Sequence, residues 1–363
     1  MQQLLESKGV ELMPVQAGAS LAVDLIAAEV TGELVVAGRL GNLVPKPNHS
    51  FLDSMELEGD TVVARYTLDA DRDTWILDHS IDEVPVLPGV IGVEMMAAVA
   101  TMARPGQPYV GVERVRFDKP VKLYRQQPTE IELRAIPLGE GKVRCTLFSE
   151  RRSAANKRIR AEHFSATILL GTPPSVSQMP PGFFPEEPIN RAAIYKRFFH
   201  GTSFQVLRGA DSVARDGLAA SAQVEHALIA EDLLTSPLAL EAAFQAAGLH
   251  SMVIDGVMAL PAAVEALWLV RQARDGEALT LEVRRVGDLY DVDVDGEDGR
   301  VLCLRGFRMV ARGPLPERDR FQEPEEGWAE TAFGAASPAG LPMDNSQALS
   351  GRCAPRPNEW PGC

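Results

Sequence analysis

The sequence predicts an α+β protein of two similar halves, each a strongly curved antiparallel sheet wrapped around one central helix. Three observations lead there. Two Ala-rich apolar segments, PGVIGVEMMAAVATMA from Pro88 and SPLALEAAFQAAGLHSM from Ser236, each open near a proline, run at helical spacing and carry one acid, Glu94 or Glu241. A helix that is apolar nearly all round needs burial on every side, and a curved sheet provides it. Strand-like runs follow each helix: VGVERVRFDKPV, TEIELRAIPL and KVRCTLFSE after the first, then LPAAVEALWLV, ALTLEVRRV, LYDVDVDG and VLCLRGFRMV after the second. Between the halves, GTPPSVSQMPPGFFPEEP (171–188) is Pro-rich and aperiodic, as a linker would be.

In chain order, residues 1–40 read as a loop, an amphipathic helix from about Gly18 to Glu29 and a strand at Glu33–Ala37. No Gly-rich turn precedes them, and forty residues cannot hold a dinucleotide-binding unit. Residues 41–49, with two prolines, form a linker to the first half (50–170). There Trp75-Ile76-Leu77 is expected as a short strand, with His79 where it gives out, able to lean into a cleft. Pro88 suits the first turn of a helix, where its missing N–H costs nothing. The free amides from Gly89 onward would point at whatever lies beside His79, offering donors to a developing oxyanion. In the second half (189–313), Ser236 is the expected N-cap and Pro237 opens the helix. Glu241 and Gln245, four residues apart, share one helix face. From Arg312 on the apolar period vanishes, so 314–363 is expected to be disordered and to hold no site.

Composition narrows the function. The net charge of −14 disfavours nucleic acid and anionic membrane, and Glu94 interrupts the longest apolar run short of the ~18 residues of a span. Met1–Glu6 lacks the pattern of a signal peptide. Four scattered cysteines and six scattered histidines show no metal-ligand spacing, so no metal is expected and a reducing cytoplasm is the default. Against this acidic background Arg144, Arg151, Arg152, Lys157, Arg158 and Arg160 cluster on what reads as a hairpin. It is either a solvated loop or a landing patch for an acidic partner.

The motifs together resemble the dehydratase domain of modular polyketide synthases and animal-type fatty acid synthases. That family's signature is His, three residues, Gly, four residues, Pro. His79 and Pro88 match it, while Glu83 stands where a glycine usually supplies a positive φ. Its second helix carries an aspartate and, four residues on, a glutamine or histidine. Here Glu241 replaces the aspartate with one more methylene, and Gln245 matches. His200-Gly201-Thr202-Ser203-Phe204-Gln205 resembles the family's Tyr-Gly-Pro-x-Phe-Gln, and LPAAVEALWLV its Leu-Pro-x-x-Ile-Glu strand. The resemblance covers about residues 45–313; residues 1–40 resemble the end of a ketoreductase domain.

The resemblance implies a double hot-dog fold and removal of water from a 3-hydroxyacyl thioester. His79 would take the α proton and Glu241 would protonate the leaving hydroxyl, with Gly89 and Pro88 at the oxyanion and Gln245 orienting the acid. His200, Gly201 and Phe204 would line the substrate channel. No cofactor is implied beyond the phosphopantetheine of the acyl carrier protein that brings the substrate and that Arg151, Arg152 and Arg158 would receive. Other domains of a parent synthase and a second copy in a homodimer are the remaining implied partners. His79 near ~6.5 would be neutral at pH 7, and burial is expected to lift Glu241 from ~4.3 towards ~6–7. Two other readings stay open: a degenerate hot-dog pair kept as scaffold or acyl-binding unit, and a sister reaction such as double-bond isomerisation or thioester hydrolysis.

Overall fold

The computed structural model describes residues 15–27, 47–152, 158–173, 179, 181–184, 186–322, 328–329 and 331–333. Helix α1 (Val15–Ala27) overlaps the expected amphipathic helix, and the strand expected at 33–37 lies outside the described residues. The first half comprises β1 (Ser54–Glu58), β2 (Thr61–Leu68), a small hairpin of β3 (Ser80–Ile81) and β4 (Val84–Pro85), helix α2 (Gly89–Ala103), and β5 (Tyr109–Phe117), β6 (Thr129–Gly139), β7 (Lys142–Arg152) and β8 (Arg158–Leu170). The second half repeats the plan with β9 (Glu186–Asn190), α3 (Arg191–Tyr195), β10 (Leu207–Ala214), β11 (Gly217–Gln223), helix α4 (Pro237–Ile254), β12 (Val257–Leu269), β13 (Ala278–Val286), β14 (Leu289–Gly296) and β15 (Gly299–Pro314).

Each half-sheet curls around its helix because the helix offers no polar face to water. Every residue of α2 from Val90 to Ala100 and of α4 from Pro237 to Val253 is buried, the acids Glu94 and Glu241 included. Burying each large apolar side chain contributes ~1.5–3 kcal/mol. The two half-sheets join edge to edge as one antiparallel sheet, in the order β1-β2-β6-β7-β8-β5-β12-β15-β14-β13-β11-β10-β9. This is the double hot-dog architecture. Its seam is β5 against β12, with Gly111 opposite Trp268 and Val112 opposite Leu267. A Cβ at Gly111 would stand 2.4 Å from the Leu267 carbonyl oxygen, so the seam closes only over a residue without one. No helix among the described residues is long and apolar enough to cross a membrane.

Four local expectations are corrected. Trp75-Ile76-Leu77 is not a strand but part of a 3₁₀ turn, Thr74–Asp78, which buries Trp75 edge-on against Phe51 and Phe204. Three apolar residues are too few to fix a period, and the turn closes on Ile76 N–H to the Asp73 carbonyl at 2.9 Å. Ser236 is the N-cap residue of α4, its carbonyl accepting from Ala239 and Leu240, but its side chain makes no capping bond. It sits in the left-handed region (φ 53°), and its hydroxyl donates to Gln272 Oε1 and accepts from Ala273 N–H, at 2.6 and 2.9 Å. The linker expected over 171–188 ends inside strand β9, and Phe184 packs on Phe333 with ring centroids 5.2 Å apart. Within the expected tail, residues 314–322, 328–329 and 331–333 are described and make contacts with the fold. Leu315 N–H reaches the Gly256 carbonyl, and the Asp216 carboxylate accepts from the amides of Ala332 and Phe333. Isolated aromatic anchors of this kind leave no periodic trace in a Pro- and Glu-rich sequence.

Candidate active site

His79 follows the 3₁₀ turn, and its backbone makes an isolated antiparallel bridge with His200. Its carbonyl accepts from Val86 N–H at 2.9 Å. Its Nδ1 lies 2.7 Å from the Val86 carbonyl, which can only accept, so Nδ1 carries the proton and Nε2 keeps the lone pair. The hairpin β3–β4 makes this doubling-back possible. Asp82 and Glu83 at its tip both have positive φ, 52° and 63°, so Glu83 does adopt the conformation in which a glycine was expected. His79 is 9% exposed, and its ring meets those of Phe199, His200 and Phe204 edge to face at 5.1–5.4 Å.

Across from it, α4 presents Glu241 and Gln245 one turn apart. Gln245 Nε2 donates to Glu241 Oε1 at 2.8 Å and to the Phe204 carbonyl at 2.7 Å. Tyr195 Oη donates to Gln245 Oε1 at 2.8 Å and accepts from Leu207 N–H at 2.7 Å, which fixes the orientation of the amide. His200 Nε2 lies 3.1 Å from the same Oε1 of Glu241. Both contacts fall on one carboxylate oxygen, and Oε2 accepts no hydrogen bond among the described residues. The His200 ring stacks on Phe199 at 4.2 Å, and its Nδ1 is buried without a hydrogen-bond partner.

The two elements are pinned together by Asp78, whose Oδ2 accepts from Ser203 N–H and Oγ–H at 3.0 and 2.7 Å, while Gly201 N–H donates to the Asp78 carbonyl at 2.7 Å. Neither Asp78 nor Tyr195 stood out in the sequence. Their only signals are position: Asp78 directly precedes His79, and Tyr195 lies in the same segment as His200.

His79, Gly89, His200, Glu241 and Gln245 line one cavity of about 250 Å³. Beyond them its wall is mostly apolar, with Asp118 and Lys119 as further charged members. Glu241, Phe244, Gln245, Gly248 and Met252 follow one another along α4, a stripe ~16 Å long. Gly201 and Phe204 are not in this wall, contrary to expectation. Phe204 is fully buried behind His79, between it and Trp75, and Gly201 serves the close approach to Asp78. Pro88 is also outside the wall; it is the N-cap residue of α2, its carbonyl accepting from Ile91 and Gly92. Arg151 pairs with Ile159 and Arg152 with Arg158 at the β7–β8 hairpin, but the side chains of Arg151, Arg152 and Arg158 lie outside the described residues. Arg160 is engaged within the fold, stacked on Phe148 and bonded to Glu132.

The electrostatics of the site differ from expectation at the acid. Burial, reinforced by the neighbouring His200 and only partly opposed by Glu241, lowers the His79 pKa to about 4, so the imidazole is neutral at pH 7. For Glu241, burial raises the carboxyl pKa, but His200, His79 and the Gln245 amide together outweigh it and hold the group below its ordinary value. The expected lift towards ~6–7 does not occur, because two imidazoles lie beside the carboxylate.

Family models match both halves of the chain. A model described as polyketide synthase dehydratase domain matches residues 49–150, and one described as polyketide synthase dehydratase N-terminal domain matches residues 185–313. No curated protein matches the chain by sequence. Among solved structures, the dehydratase domain from the CurF module of curacin polyketide synthase is 17% identical with a TM-score of 0.62, covering 74% of this chain and 100% of its own. A trans-AT polyketide synthase dehydratase domain from Brevibacillus brevis is 19% identical with a TM-score of 0.61 and the same coverages. Two variants of the CurK dehydratase described as inactive, one aspartate-to-asparagine and one histidine-to-phenylalanine, are each 16% identical, with TM-scores of 0.61 and 0.59, covering 73% and 74% of this chain and 99% of their own. These likenesses establish the fold, and with both halves matched in order by the family models, the chain belongs to the polyketide synthase dehydratase family.

Proposed function

We propose that this domain dehydrates a 3-hydroxyacyl thioester within a polyketide synthase, with His79 as base and Glu241 as acid. The observation that carries this reading is the pairing of an unprotonated Nε2 on His79 with an uncommitted Oε2 on Glu241, both side chains lining one apolar cavity. An α proton beside a thioester becomes acidic enough for an imidazole only when donors hold the carbonyl oxygen as charge builds on it. The amides that open α2 at Gly89 are the available donors. His79 takes the α proton, the β carbon–oxygen bond breaks, and Glu241 delivers a proton to the departing hydroxyl. Water and the α,β-enoyl thioester leave, and one proton passes from His79 back to Glu241 by way of solvent. An acyl chain filling the cavity displaces water and strengthens the burial effect, which favours the neutral acid.

The inactive aspartate and histidine variants of the similar CurK dehydratase support the same two roles for a histidine and a carboxylic acid. We read the substrate as bound to the phosphopantetheine of an acyl carrier protein, received near the β7–β8 hairpin with Arg151, Arg152 and Arg158, with no cofactor held by the domain itself. A homodimer, a cytoplasmic setting and a ketoreductase end at residues 1–40 belong to the same reading. The test is a synthetic 3-hydroxyacyl thioester followed by mass spectrometry. The parent should lose one water per substrate, and Glu241→Gln, which keeps the shape without the acidic proton, should lower kcat by on the order of 10²- to 10⁴-fold. A parent that hydrolyses the thioester or leaves it intact overturns the proposal.

A further inference from the structure

We infer that His200 is a positioning residue that decides which oxygen of Glu241 carries the acidic proton; this rests on the dehydratase reading above. His200 Nδ1 is buried and has no partner, so a proton there would be an unpaired donor shut away from water. Nε2, 3.1 Å from Glu241 Oε1, is where the proton of a neutral ring is useful. The ring proton is therefore read as sitting on Nε2, which faces Oε1 at 3.1 Å. Gln245 Nε2 donates to that oxygen too, at 2.8 Å.

An oxygen that accepts two N–H donors is the carbonyl-like oxygen of a protonated carboxyl group. The acidic proton is left on Oε2, which no described residue engages and which a β-hydroxyl can approach. The other groups around His200 do not compete for Nε2. Phe199 and Phe198 face the ring, His79 lies 5.4 Å away by ring centroids, and Gln245 and the Gln205 side chain are bonded elsewhere, Gln205 to the His200 carbonyl at 2.9 Å.

A histidine–glutamate contact of the same length occurs once more among the described residues. His49 Nε2 also lies 3.1 Å from its carboxylate, Glu94 of α2. There, however, Leu234 N–H adds a bond to Oε1 at 2.7 Å, and Thr235 fills Oε2 through its N–H at 2.8 Å and its hydroxyl at 2.5 Å. Both oxygens of Glu94 are consumed by the protein. Of the two, Glu241 keeps one oxygen for a ligand.

Two substitutions and one spectrum test this. His200→Phe keeps a ring against Phe199 but removes the donor; His200→Gln keeps an N–H at about the same reach. The phenylalanine variant should lose on the order of 10- to 100-fold in kcat with KM changed less than about two-fold, and the glutamine variant should recover most of it. Parent-like kcat in the phenylalanine variant, or a glutamine variant as impaired as it, overturns the inference. Nitrogen-15 NMR of the parent at pH 7 reads the tautomer without any turnover. A protonated Nε2 and bare Nδ1 on His200 are expected, and the reverse overturns the inference whether or not the domain proves to be a dehydratase.

Discussion

Gly201→Ala should damage catalysis without touching a reacting atom. A Cβ at that position would stand 2.2 Å from Asp78 Oδ1 and 2.8 Å from Asp78 Cα. The carboxylate could rotate away at the cost of its bonds to Ser203, but the Cα cannot. Ordinary contact begins near 3.4 Å, so the two backbones must part by about 0.6 Å. They are the backbones that carry His79, one residue after Asp78, and His200, one residue before Gly201. Since a misplacement of ~1 Å can cost ~10²-fold, a loss of on the order of 10- to 100-fold in kcat follows. Overpacking should add ~1–3 kcal/mol of destabilisation, seen as a lowered Tm. Steady-state kinetics on a thioester and a thermal melt read both effects. Gly313→Ala is the control, because that glycine, in β15, has open space around it and no positive φ. If Gly201→Ala matched the control in kcat and Tm, the claim that this contact sets the spacing of the histidines would be refuted.

Three more outcomes are expected. His79→Ala should abolish dehydration and leave a folded protein by circular dichroism; near-parental turnover would remove it as the base. The fold should weaken as pH drops from about 6.5 towards 4. His79 and His250 have folded-state pKa values pushed down to about 4, chiefly by burial, so the unfolded chain binds more protons in that window. At ~1.4 kcal/mol per unit each contributes about 3 kcal/mol that is present above pH 6.5 and lost on the way to pH 4. Urea midpoints at pH 7 and 5 should differ accordingly, and equal midpoints would contradict this. Changing Arg151, Arg152 and Arg158 together to Glu should raise KM for carrier-bound substrate while sparing a short thioester analogue; an equal effect on both would detach the hairpin from carrier binding.

What the sequence made legible follows from range. Helices α2 and α4 were readable because their apolar character is continuous over four turns or so, and the pairing of Glu241 with Gln245 because a separation of four is fixed by helix geometry. The strands after each helix were readable from alternation. The 3₁₀ turn at Thr74–Asp78 was not, since its apolar run is short enough to suit either form. Nor was the work of Tyr195, Asp78 and His200. Each acts through a partner 50, 125 or 41 positions away, and a single sequence carries no record of such pairings. The low pKa of Glu241 was missed for the same reason: burial could be foreseen, but the imidazoles that outweigh it could not.

The seam between β5 and β12 has a consequence for anyone who wishes to recombine such domains. Cutting the chain in the Pro-rich stretch would separate His79 from Glu241, so neither piece would keep a complete reactive pair. Each piece would also expose a long strand edge, β5 with Val112 and Val115 or β12 with Val264 and Leu267, all buried in the intact sheet. Unpaired edges of that kind recruit other chains. The unit of exchange for engineering is therefore the whole pair of halves, and a chimera that swaps one half must carry over a glycine opposite Trp268 before it can close.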